Sequence, residues 1–504
     1  MPDYNTYKYS AEETLIRGAR WARDEEIMKA TSRIRLSDPE CVIRSGLPVI
    51  SDGDTVYVDD SDAHSLIIGA TGSKKSRLFA MPMLEIIRRS GESVVVTDPK
   101  GELYDLTASA FKASGYNVNV INLREPAKSN GWNPLALARQ YLRKGDAERA
   151  TMLVNDFASA MLSGENRDAK NGMFWEHTTI AMLQGLAMML VEGVDHFPDE
   201  MVHLSMLRYL SDHFHQESRY GHPGVIDLLE YYPEDSLARM NLNVARGGSE
   251  LTFSNVKISY EAPMQKLYAQ KSLMAMMAVN EVDFNKLGTE KSILYLIMPD
   301  EKTTLHKIVS LIIKVCYEQL IFLAQTMPGN VLPQRVNFLL DEFSNLPAIP
   351  DMAAMISAAR SRNIKFHLII QGLYQLSSKY GSDNAHTIKG NCGNWVFLTS
   401  RELPLLNEIS ELCGKDAVTG EPLITVTELQ RLNKERGEVL ILMGRQSPYI
   451  AHMADISEYD LPQRGERLPF PHHSIEKVPM MTFRDIRVLS GDKDDDDDDE
   501  VWGN

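Results

Sequence analysis

The sequence predicts an α/β protein whose mainly parallel central sheet is interrupted by an all-α domain. Residues 64–77 read HSLIIGATGSKKSR, a short apolar strand followed by a Gly/Ser-rich turn and the start of a helix. Residues 93–97 read SVVVT, a continuous β-branched run that is typical of a buried parallel strand. From about residue 142 to residue 280, Met, Ala and Leu recur at helical spacing, which indicates helices rather than strands.

The turn after the first of these strands has the pattern of a phosphate-binding loop. Glycines allow backbone N–H groups to approach a polyphosphate, and the helix N-terminus adds partial positive charge. Lys75 would reach the β- and γ-phosphates of ATP, and the Ser76 hydroxyl would bind Mg²⁺. The candidate nucleotide-binding residues are Gly69, Ala70, Thr71, Gly72, Ser73, Lys74, Lys75, Ser76 and Arg77.

One position departs from the loop pattern G-x-x-x-x-G-K-[ST]. Gly69, Lys75 and Ser76 fit, but Lys74 stands where the second glycine belongs. A side chain there either hinders the approach of the backbone to the phosphates or adds one more cation. The sequence therefore predicts nucleotide binding more firmly than rapid hydrolysis. The alternative is an ordinary Gly/Ser turn between a strand and a helix.

Composition narrows the class of protein. A chain of 504 residues with 43% apolar and 24% charged residues is long enough for two or three globular domains. Its four cysteines form no C-x-x-C pair, which favours reduced thiols and a cytoplasmic setting. The net charge of −16 argues against a general nucleic-acid coat, although a local basic lining is compatible with it. The acidic run at 491–500 predicts either an interaction tail or a merely solubilising one.

The rest of the chain alternates strands and helices on both sides of the helical stretch. A small strand pair is expected within 41–60, before the loop. The helix after the loop contains Pro82, which should kink it or make its first turns irregular. Further strands are predicted at 116–122, 292–298, 365–370, 394–400 and 438–443, and further helices at about 304–324 and 352–362.

A second candidate site lies at the end of another apolar strand. Residues 335–342 read RVNFLLDE, so Asp341 and Glu342 follow the strand directly. Asp341 would hold Mg²⁺ through water, and Glu342 would orient and deprotonate the attacking water. A strand ending in Asp-Glu is common by itself. Beside a phosphate-binding loop, however, the pair favours an ATPase site.

Two further residues are candidates for contact with the γ-phosphate. Arg360 lies between the Asp-Glu strand and the next one, where an arginine can reach the nucleotide of a neighbouring subunit. The alternative is a solvated helix end. Gln371 ends the strand at 365–370 and would sense the γ-phosphate, or it is an ordinary polar strand cap.

The predicted elements divide the chain into five segments. An arm covers residues 1–40, and an extended acidic tail covers residues 456–504. The nucleotide-binding domain is built from two halves, 41–141 and 281–455, and the all-α domain at 142–280 is inserted between them.

Several motifs together resemble one family, the type IV secretion coupling proteins, which are conjugative DNA-transfer ATPases of the TraG/TraD kind. The motifs occur in the family's order and span residues 41 to about 450. They are HSLIIG at 64–69, TDPKGELYD at 97–105, WNPLA at 132–136, FLLDEFSNLP at 338–347 and ARSRNIKFHLIIQGLYQL at 359–376.

The resemblance implies a RecA-like P-loop motor that works as a homo-hexamer with ATP and Mg²⁺. It implies transfer of relaxase-bound single-stranded DNA to a secretion channel, from a cytoplasmic position at the inner face of the cell membrane. By motif, Lys75 and Ser76 would be the loop residues, with Ser76 and Asp341 holding the metal. Glu342 would then activate water, Arg360 would be the arginine finger and Gln371 the sensor.

Two departures from the family keep an alternative open. Lys74 replaces the loop glycine, and the family's N-terminal transmembrane pair is not seen, so attachment would come from a separate membrane-anchoring partner. With the acidic tail, Lys74 motivates a second reading, a nucleotide-binding docking platform that recruits relaxase without efficient hydrolysis. A small-molecule kinase is disfavoured because a whole helical domain separates Lys75 from Asp341.

Overall fold

The computed structural model describes residues 18–38, 41, 44–163, 172–214, 224–247, 249–299, 305–416, 418–459, 466–473, 477–483 and 485–486. Contacts between residues divide the chain into two units. The first comprises Met1–Asn119, Phe284–Glu301 and Cys316–Pro469, and the second comprises Val120–Asp283, Lys302–Val315 and Phe470–Asn504. The acidic run at 491–500 and residues 1–17 of the predicted arm lie outside the described residues.

The described strands form two sheets. A three-stranded sheet has the order β1-β3-β2, and a nine-stranded sheet has the order β12-β11-β10-β4-β9-β8-β5-β7-β6. The strands are β1 (Ser32–Arg35), β2 (Leu47–Ser51), β3 (Thr55–Asp59), β4 (Ser65–Gly69), β5 (Ser93–Asp98), β6 (Asn117–Asn122), β7 (Ser292–Ile297), β8 (Val336–Leu340), β9 (Ile364–Ile370), β10 (Asn394–Thr399), β11 (Glu438–Met443) and β12 (Tyr449–His452).

The large sheet has the parallel centre that the sequence predicts. Strand β4 pairs in parallel with β9 and β10, and β8 pairs in parallel with β9 and β5. Strands β11 and β12 add an antiparallel edge. Every residue of β4, β5, β8 and β9 is buried, as expected for strands covered on both faces.

The register brings the carboxyl ends of these strands level with one another. Leu340 of β8 lies opposite Thr97 of β5 and Leu368 of β9, and Ile68 of β4 lies opposite Ile370 of β9. Residues that follow the strands therefore meet at one edge of the sheet, which is where open α/β sheets bind ligands.

The small sheet contains the strand pair expected within 41–60. Strands β2 and β3 pair antiparallel, and β1 adds a third strand by pairing with β3. Strand β1 comes from the segment predicted as an N-terminal arm. Its Ile34 is fully buried, so this part of the arm belongs to the packed first unit.

The helices lie between and after the strands. They are α1 (Asp24–Ala30), α2 (Met81–Ser90), α3 (Glu102–Ala113), α4 (Ala136–Arg143), α5 (Ala147–Leu162), α6 (Gly172–Glu192), α7 (Leu204–Asp212), α8 (Val225–Leu229), α9 (Leu237–Arg246), α10 (Glu250–Tyr268), α11 (Lys271–Met276), α12 (Asn285–Thr289), α13 (His306–Thr326), α14 (Met352–Ala359), α15 (Leu373–Tyr380), α16 (Ser382–Asn391), α17 (Leu403–Cys413) and α18 (Val426–Leu429).

The second unit is helical where Met, Ala and Leu recur in the sequence. Helices α4 to α11 succeed one another from Ala136 to Met276, and the described residues of this stretch contain no strand. Helix α6 is apolar on nearly all sides and packs against α5, α9 and α10. Buried Arg139 donates to the carbonyl oxygen of Val191 at 2.8 Å and pairs with Asp199 at 2.9 Å, which satisfies its charge.

Among the described residues, α13 is the one helix that is long and apolar enough to cross a membrane. Its most apolar window has a mean hydropathy of 1.6, and 72% of that window is buried inside the protein. Buried core helices of soluble domains meet the same criterion, so the composition of α13 does not identify a membrane span.

The amino edge of the large sheet carries a buried polar network. Lys365 of β9 is almost fully buried and donates to the Ser61 carbonyl oxygen at 2.8 Å. Asn337 of β8 donates to buried Glu92 at 2.9 Å. Burial lowers the pKa of His64, just before β4, to about 4. Each of these side chains has a hydrogen-bond partner within the protein, as buried polar groups usually do.

Candidate nucleotide site

The phosphate-binding loop leaves β4 at the carboxyl edge of the sheet. Gly69 is tightly surrounded there, since a Cβ at this position would lie 2.4 Å from the Ser73 hydroxyl oxygen and would force that side chain to move. Gly72 has a φ of +77°, a backbone conformation that favours glycine. The loop leads into a π-helical turn, Ser76–Ala80, and then into α2, with Pro82 in its first turn. The predicted irregular start of this helix is therefore present.

Lys75 points back into the loop and towards the acidic strand end. Its ammonium group donates to the Gly69 carbonyl oxygen at 2.6 Å and to that of Ala70 at 3.4 Å. It also lies 3.9 Å from Glu342 Oε1. The side chain is only 6% exposed, and burial lowers its pKa while Glu342 and Asp341 act to raise it. A buried cation in this position is suited to an anionic ligand.

Ser76 and Asp341 meet although β9 separates their strands in the sheet. The Ser76 hydroxyl donates to Asp341 Oδ2 at 2.9 Å. The Thr97 hydroxyl donates to the Asp341 carbonyl oxygen at 2.8 Å, which anchors the backbone of the strand end. Burial raises the pKa of the Asp341 carboxyl, and the bond from Ser76 opposes that rise. The structure thus brings together the two residues that the sequence predicts as Mg²⁺ ligands.

This donor set fits one kind of metal site. Among the described residues, no group of three or more His, Cys, Asp or Glu side chains could hold a metal ion. A hydroxyl and a carboxylate leave most positions of an octahedral ion to water and phosphate oxygens, which is how Mg²⁺ binds beside nucleotides. A structural zinc site, which needs four protein ligands, does not fit.

Glu342 is held in a fixed orientation at the end of β8. Its φ of +51° is left-handed, and its backbone N–H donates to Asp341 Oδ1 at 2.9 Å. Its Oε2 accepts from the Gln371 amide at 2.8 Å and from the Asn345 amide at 3.0 Å. The two amide donors occupy one oxygen and leave Oε1 facing Lys75. The structure therefore brings the predicted base and the predicted sensor into direct contact.

Arg360 is not part of this cluster in a single chain. It lies in the 3₁₀ turn Arg360–Arg362 after α14, and its side chain is exposed. In the part of the chain that the structure describes, it makes no ion pair with Glu342 or any other carboxylate.

Lys74 fits into the loop with a left-handed backbone conformation and with its side chain paired to Glu435. Its φ of +66° is left-handed, which explains why a glycine suits this position. Its ammonium group lies 2.7 Å from Glu435 Oε2, and this hydrogen bond lowers the pKa of Glu435. The Lys74 side chain thus extends towards the 3₁₀ turn Lys434–Arg436 rather than along the loop.

Arg77 makes a second link between the loop and the end of the first unit. Its Nε donates to Asp455 Oδ2 at 2.8 Å, and its other end also pairs with this carboxylate. This pairing holds the pKa of Asp455 well below its ordinary value. Lys74 and Asp455 line a cavity of about 220 Å³ together with Arg436 and His452.

Replacing Lys74 with glycine is expected to raise ATP affinity or turnover, by roughly fivefold. A glycine adopts the left-handed conformation without about 1 kcal/mol of strain and removes the side chain from the loop. Isothermal titration with a nonhydrolysable ATP analogue and a phosphate-release assay measure the two quantities. Glu435→Gln, which weakens the ion pair but keeps Lys74, is the matched control. No gain in Lys74→Gly would mean that the loop tolerates or uses the lysine.

Three residues near the site were not assigned to it by sequence reasoning. Asp98 ends β5, is 1% exposed, and accepts from the Tyr104 backbone N–H at 2.8 Å. Burial, with a smaller contribution from Asp341, raises the pKa of Asp98 to about 6. Thr97 and Asn345 support Asp341 and Glu342, respectively. The only available signal for Asp98 was its place in the polar turn TDPKG at a strand's carboxyl end.

Comparisons with known proteins agree on one family. A family model described as Type IV secretory system Conjugative DNA transfer matches residues 14–435. A conjugal transfer protein TraG of Escherichia coli is 25% identical over 452 residues, which are 82% of this chain and 67% of that protein. A VirD4 protein of Rhizobium radiobacter is 23% identical over 360 residues, 70% of this chain and 48% of that protein. The chain thus spans about half the length of the VirD4 relatives.

Solved structures of the plasmid coupling protein TrwB share the fold. One, in complex with the ATP analogue ADPNP, has a TM-score of 0.62 at 14% identity and covers 91% of this chain and 98% of that chain. Another, in complex with ADP and Mg²⁺, has a TM-score of 0.60 at 15% identity, with coverage of 90% and 96%. At these identities the likeness shows the fold alone, and it confirms the predicted RecA-like α/β class.

Proposed function

The chain belongs to the type IV secretory system conjugative DNA transfer family, and we propose that it is an ATP-driven coupling protein. In this role it brings relaxase-bound single-stranded DNA to a secretion channel and powers the transfer. The observation that carries the proposal is the hydrogen bond between Ser76 and Asp341, since it places a loop hydroxyl and a strand-end carboxylate side by side as a Mg²⁺ site needs.

The residues around this pair supply the other requirements of a P-loop ATPase. Lys75 leaves the loop carbonyls and neutralises the β- and γ-phosphates. Ser76 and Asp341 hold Mg²⁺, which offsets the charge that develops on the phosphoryl oxygens. The binding of ADP with Mg²⁺ by the structurally similar TrwB supports this assignment. The remaining loop residues, 69–74 and 77, provide backbone N–H groups for the phosphates.

Glu342 acts as the general base in this proposal, and Gln371 reports on the γ-phosphate. Glu342 Oε2 is occupied by the amides of Gln371 and Asn345, so Oε1 is the oxygen that accepts a proton from water. A contact between Gln371 and the γ-phosphate would compete with its contact to Glu342. The orientation of the base then changes with the state of the nucleotide.

Arg360 acts across a subunit boundary in the working assembly. The side chain is exposed and has no carboxylate partner among the described residues of its own chain, as a residue offered to a neighbour would be. We infer that the active form is a ring, with a hexamer as the expected size, in which Arg360 stabilises the γ-phosphate of the next subunit.

The proposed division of labour follows the five segments. Residues 41–141 and 281–455 form the motor, and the all-α domain at 142–280 is inserted between these two halves. The arm at 1–40 precedes the motor, and the acidic tail at 456–504 follows it. The partners are a relaxase–DNA complex, the channel proteins and a separate membrane-anchoring protein, which holds the motor at the inner face of the membrane.

A docking platform that binds nucleotide without efficient turnover is the second candidate. The observation in its favour is Lys74, which takes a left-handed conformation where a glycine would be unstrained and ties the loop to Glu435. Such a protein would recruit relaxase through its surface and use nucleotide only to stabilise its fold.

ATP hydrolysis by the purified chain, with and without single-stranded DNA, tests the proposal. Turnover that rises with DNA and falls at least about 100-fold in Lys75→Ala is expected, because the loop lysine stabilises the transferring phosphate. Arg436→Ala is the control for the loss of a nearby positive charge, because Arg436 lines the cavity next to Lys74 and Glu435. Tight nucleotide binding without turnover, with or without DNA, would instead establish the docking platform.

A further inference from the structure

An exposed aromatic side chain lies directly beyond the candidate sensor. Strand β9 ends at Ile370, Gln371 contacts Glu342, and α15 begins two residues later. Tyr374, in the first turn of α15, is 73% exposed. A large ring exposed to this degree next to the candidate nucleotide site contributes little to the packing of its own unit and is open to contact with a partner.

The backbone that carries Tyr374 is fixed on several sides. Gln371 binds Glu342, and the Ser344 hydroxyl donates to the Gln375 side-chain oxygen at 2.7 Å. The segment on either side of Tyr374 is therefore tied to the strand end that carries the candidate base.

A third contact ties Tyr374 to the end of β10. The Tyr374 backbone N–H donates to Glu402 Oε1 at 2.9 Å. The carboxylate packs so closely against Gly372 that a Cβ there would lie 2.3 Å from Glu402 Oε2. The Tyr374 backbone is thus held by a side chain from another element, and holding it in place reduces the entropy lost when the ring contacts a partner.

Two exposed residues adjoin Glu402 in the chain. Because Glu402 contacts the Tyr374 backbone, its chain neighbours lie close to that segment. Arg401 is exposed and makes no ion pair with the described residues, and Leu403 is 58% exposed. An aromatic ring, an unpaired guanidinium group and an apolar side chain are the combination that binds single strands. The ring stacks on a base, and the cation contacts the backbone phosphates.

We propose that Tyr374, with Arg401 and Leu403, forms a single-stranded DNA contact that stacks on a base and is coupled to the nucleotide site through Gln371. The proposal rests on the proposed function, since it names the surface through which that motor holds its DNA. Stacking does not depend on sequence, because every base has a π-face. ATP hydrolysis, with Glu342 as the base, would then move Tyr374 and with it the bound DNA strand.

Binding of a fluorescent oligodeoxythymidylate and DNA-stimulated ATP hydrolysis test this contact. Tyr374→Ala is expected to weaken binding about tenfold, within the range for one base–aromatic stack. It should also reduce DNA stimulation while basal turnover stays within about twofold. Tyr374→Phe should retain the wild-type values, because it keeps the ring. Tyr231→Ala, the same change at another exposed tyrosine, is the matched control.

Two further arms separate base stacking from charge. With an abasic strand, wild type and Tyr374→Ala should bind equally, because there is no base to stack. Arg401→Gln should lower the slope of log affinity against log salt by about 0.7, as for one phosphate contact on a single strand.

Each other result overturns a named part of the argument. If wild type binds no single-stranded DNA, the proposed function fails. If wild type binds and Tyr374→Ala binds equally well, only the contact proposed here fails. If Tyr374→Ala instead changes the oligomeric state in sedimentation, the surface is an interface between copies of this chain, and the DNA assignment is wrong.

Discussion

Glu342→Gln is expected to bind ATP with unchanged affinity and to hydrolyse it about 10²- to 10⁴-fold more slowly than wild type. The glutamine amide fills the same space but cannot accept a proton from the attacking water. Its contacts with Gln371 and Asn345 need only an oxygen, which glutamine keeps. Lys75 loses the charge of Glu342 at 3.9 Å but keeps its hydrogen bond to the Gly69 carbonyl oxygen. The Ser76–Asp341 pair is untouched, so the nucleotide should still bind.

Single-turnover phosphate release and analogue titration separate the chemical step from binding in this variant. Glu411→Gln is the matched control, since Glu411 is exposed on α17 and undergoes the same change of one carboxylate to an amide. Wild-type turnover in Glu342→Gln would remove Glu342 as the base. Lost binding together with lost turnover would point instead to damage in the loop.

Arg360→Ala is expected to lower turnover about 10³-fold or more and to inhibit wild-type subunits in mixed assemblies. If Arg360 reaches the γ-phosphate of a neighbouring subunit, replacing it disables the nucleotide site of that neighbour. One variant subunit therefore silences a site built on a wild-type one. The exposure of Arg360 and its lack of a carboxylate partner among the described residues are consistent with such a role.

Mixing experiments give the decisive measurement for Arg360. Turnover is recorded as the fraction of variant rises at constant total protein, and a curve that falls below the line for simple dilution supports action across subunits. Arg362→Ala is the control from the same turn; Arg362 donates to the Ser361 hydroxyl at 2.7 Å. A linear decline in turnover for Arg360→Ala would place its effect within one chain.

Much of the fold followed from local pattern. The β-branched run at 93–97 became β5, the run at 365–370 became β9, and the apolar strand before Asp341 became β8. A strand buried on both faces has to be apolar throughout, so its sequence identifies it without knowledge of its neighbours. The phosphate-binding loop is equally local, because one short turn contains all its glycines.

Edges and short strands were less predictable. Strand β12 of the large sheet and strand β1 of the small sheet were not predicted individually. Each has only four residues, and such segments become strands because a neighbour offers hydrogen-bond partners rather than because of their own composition.

The sequence by itself determined the α/β class, the loop, the residue types of the candidate site and, through its motifs, the family. Only the tertiary structure decided which residues meet. Ser76 and Asp341 are 265 positions apart, and the placement of β9 between β4 and β8 brings them to one edge. The partners of Lys74 and Tyr374, Glu435 and Glu402, likewise come from other elements. Residue periodicity reflects the environment of each segment, whereas such pairings depend on strand order and register.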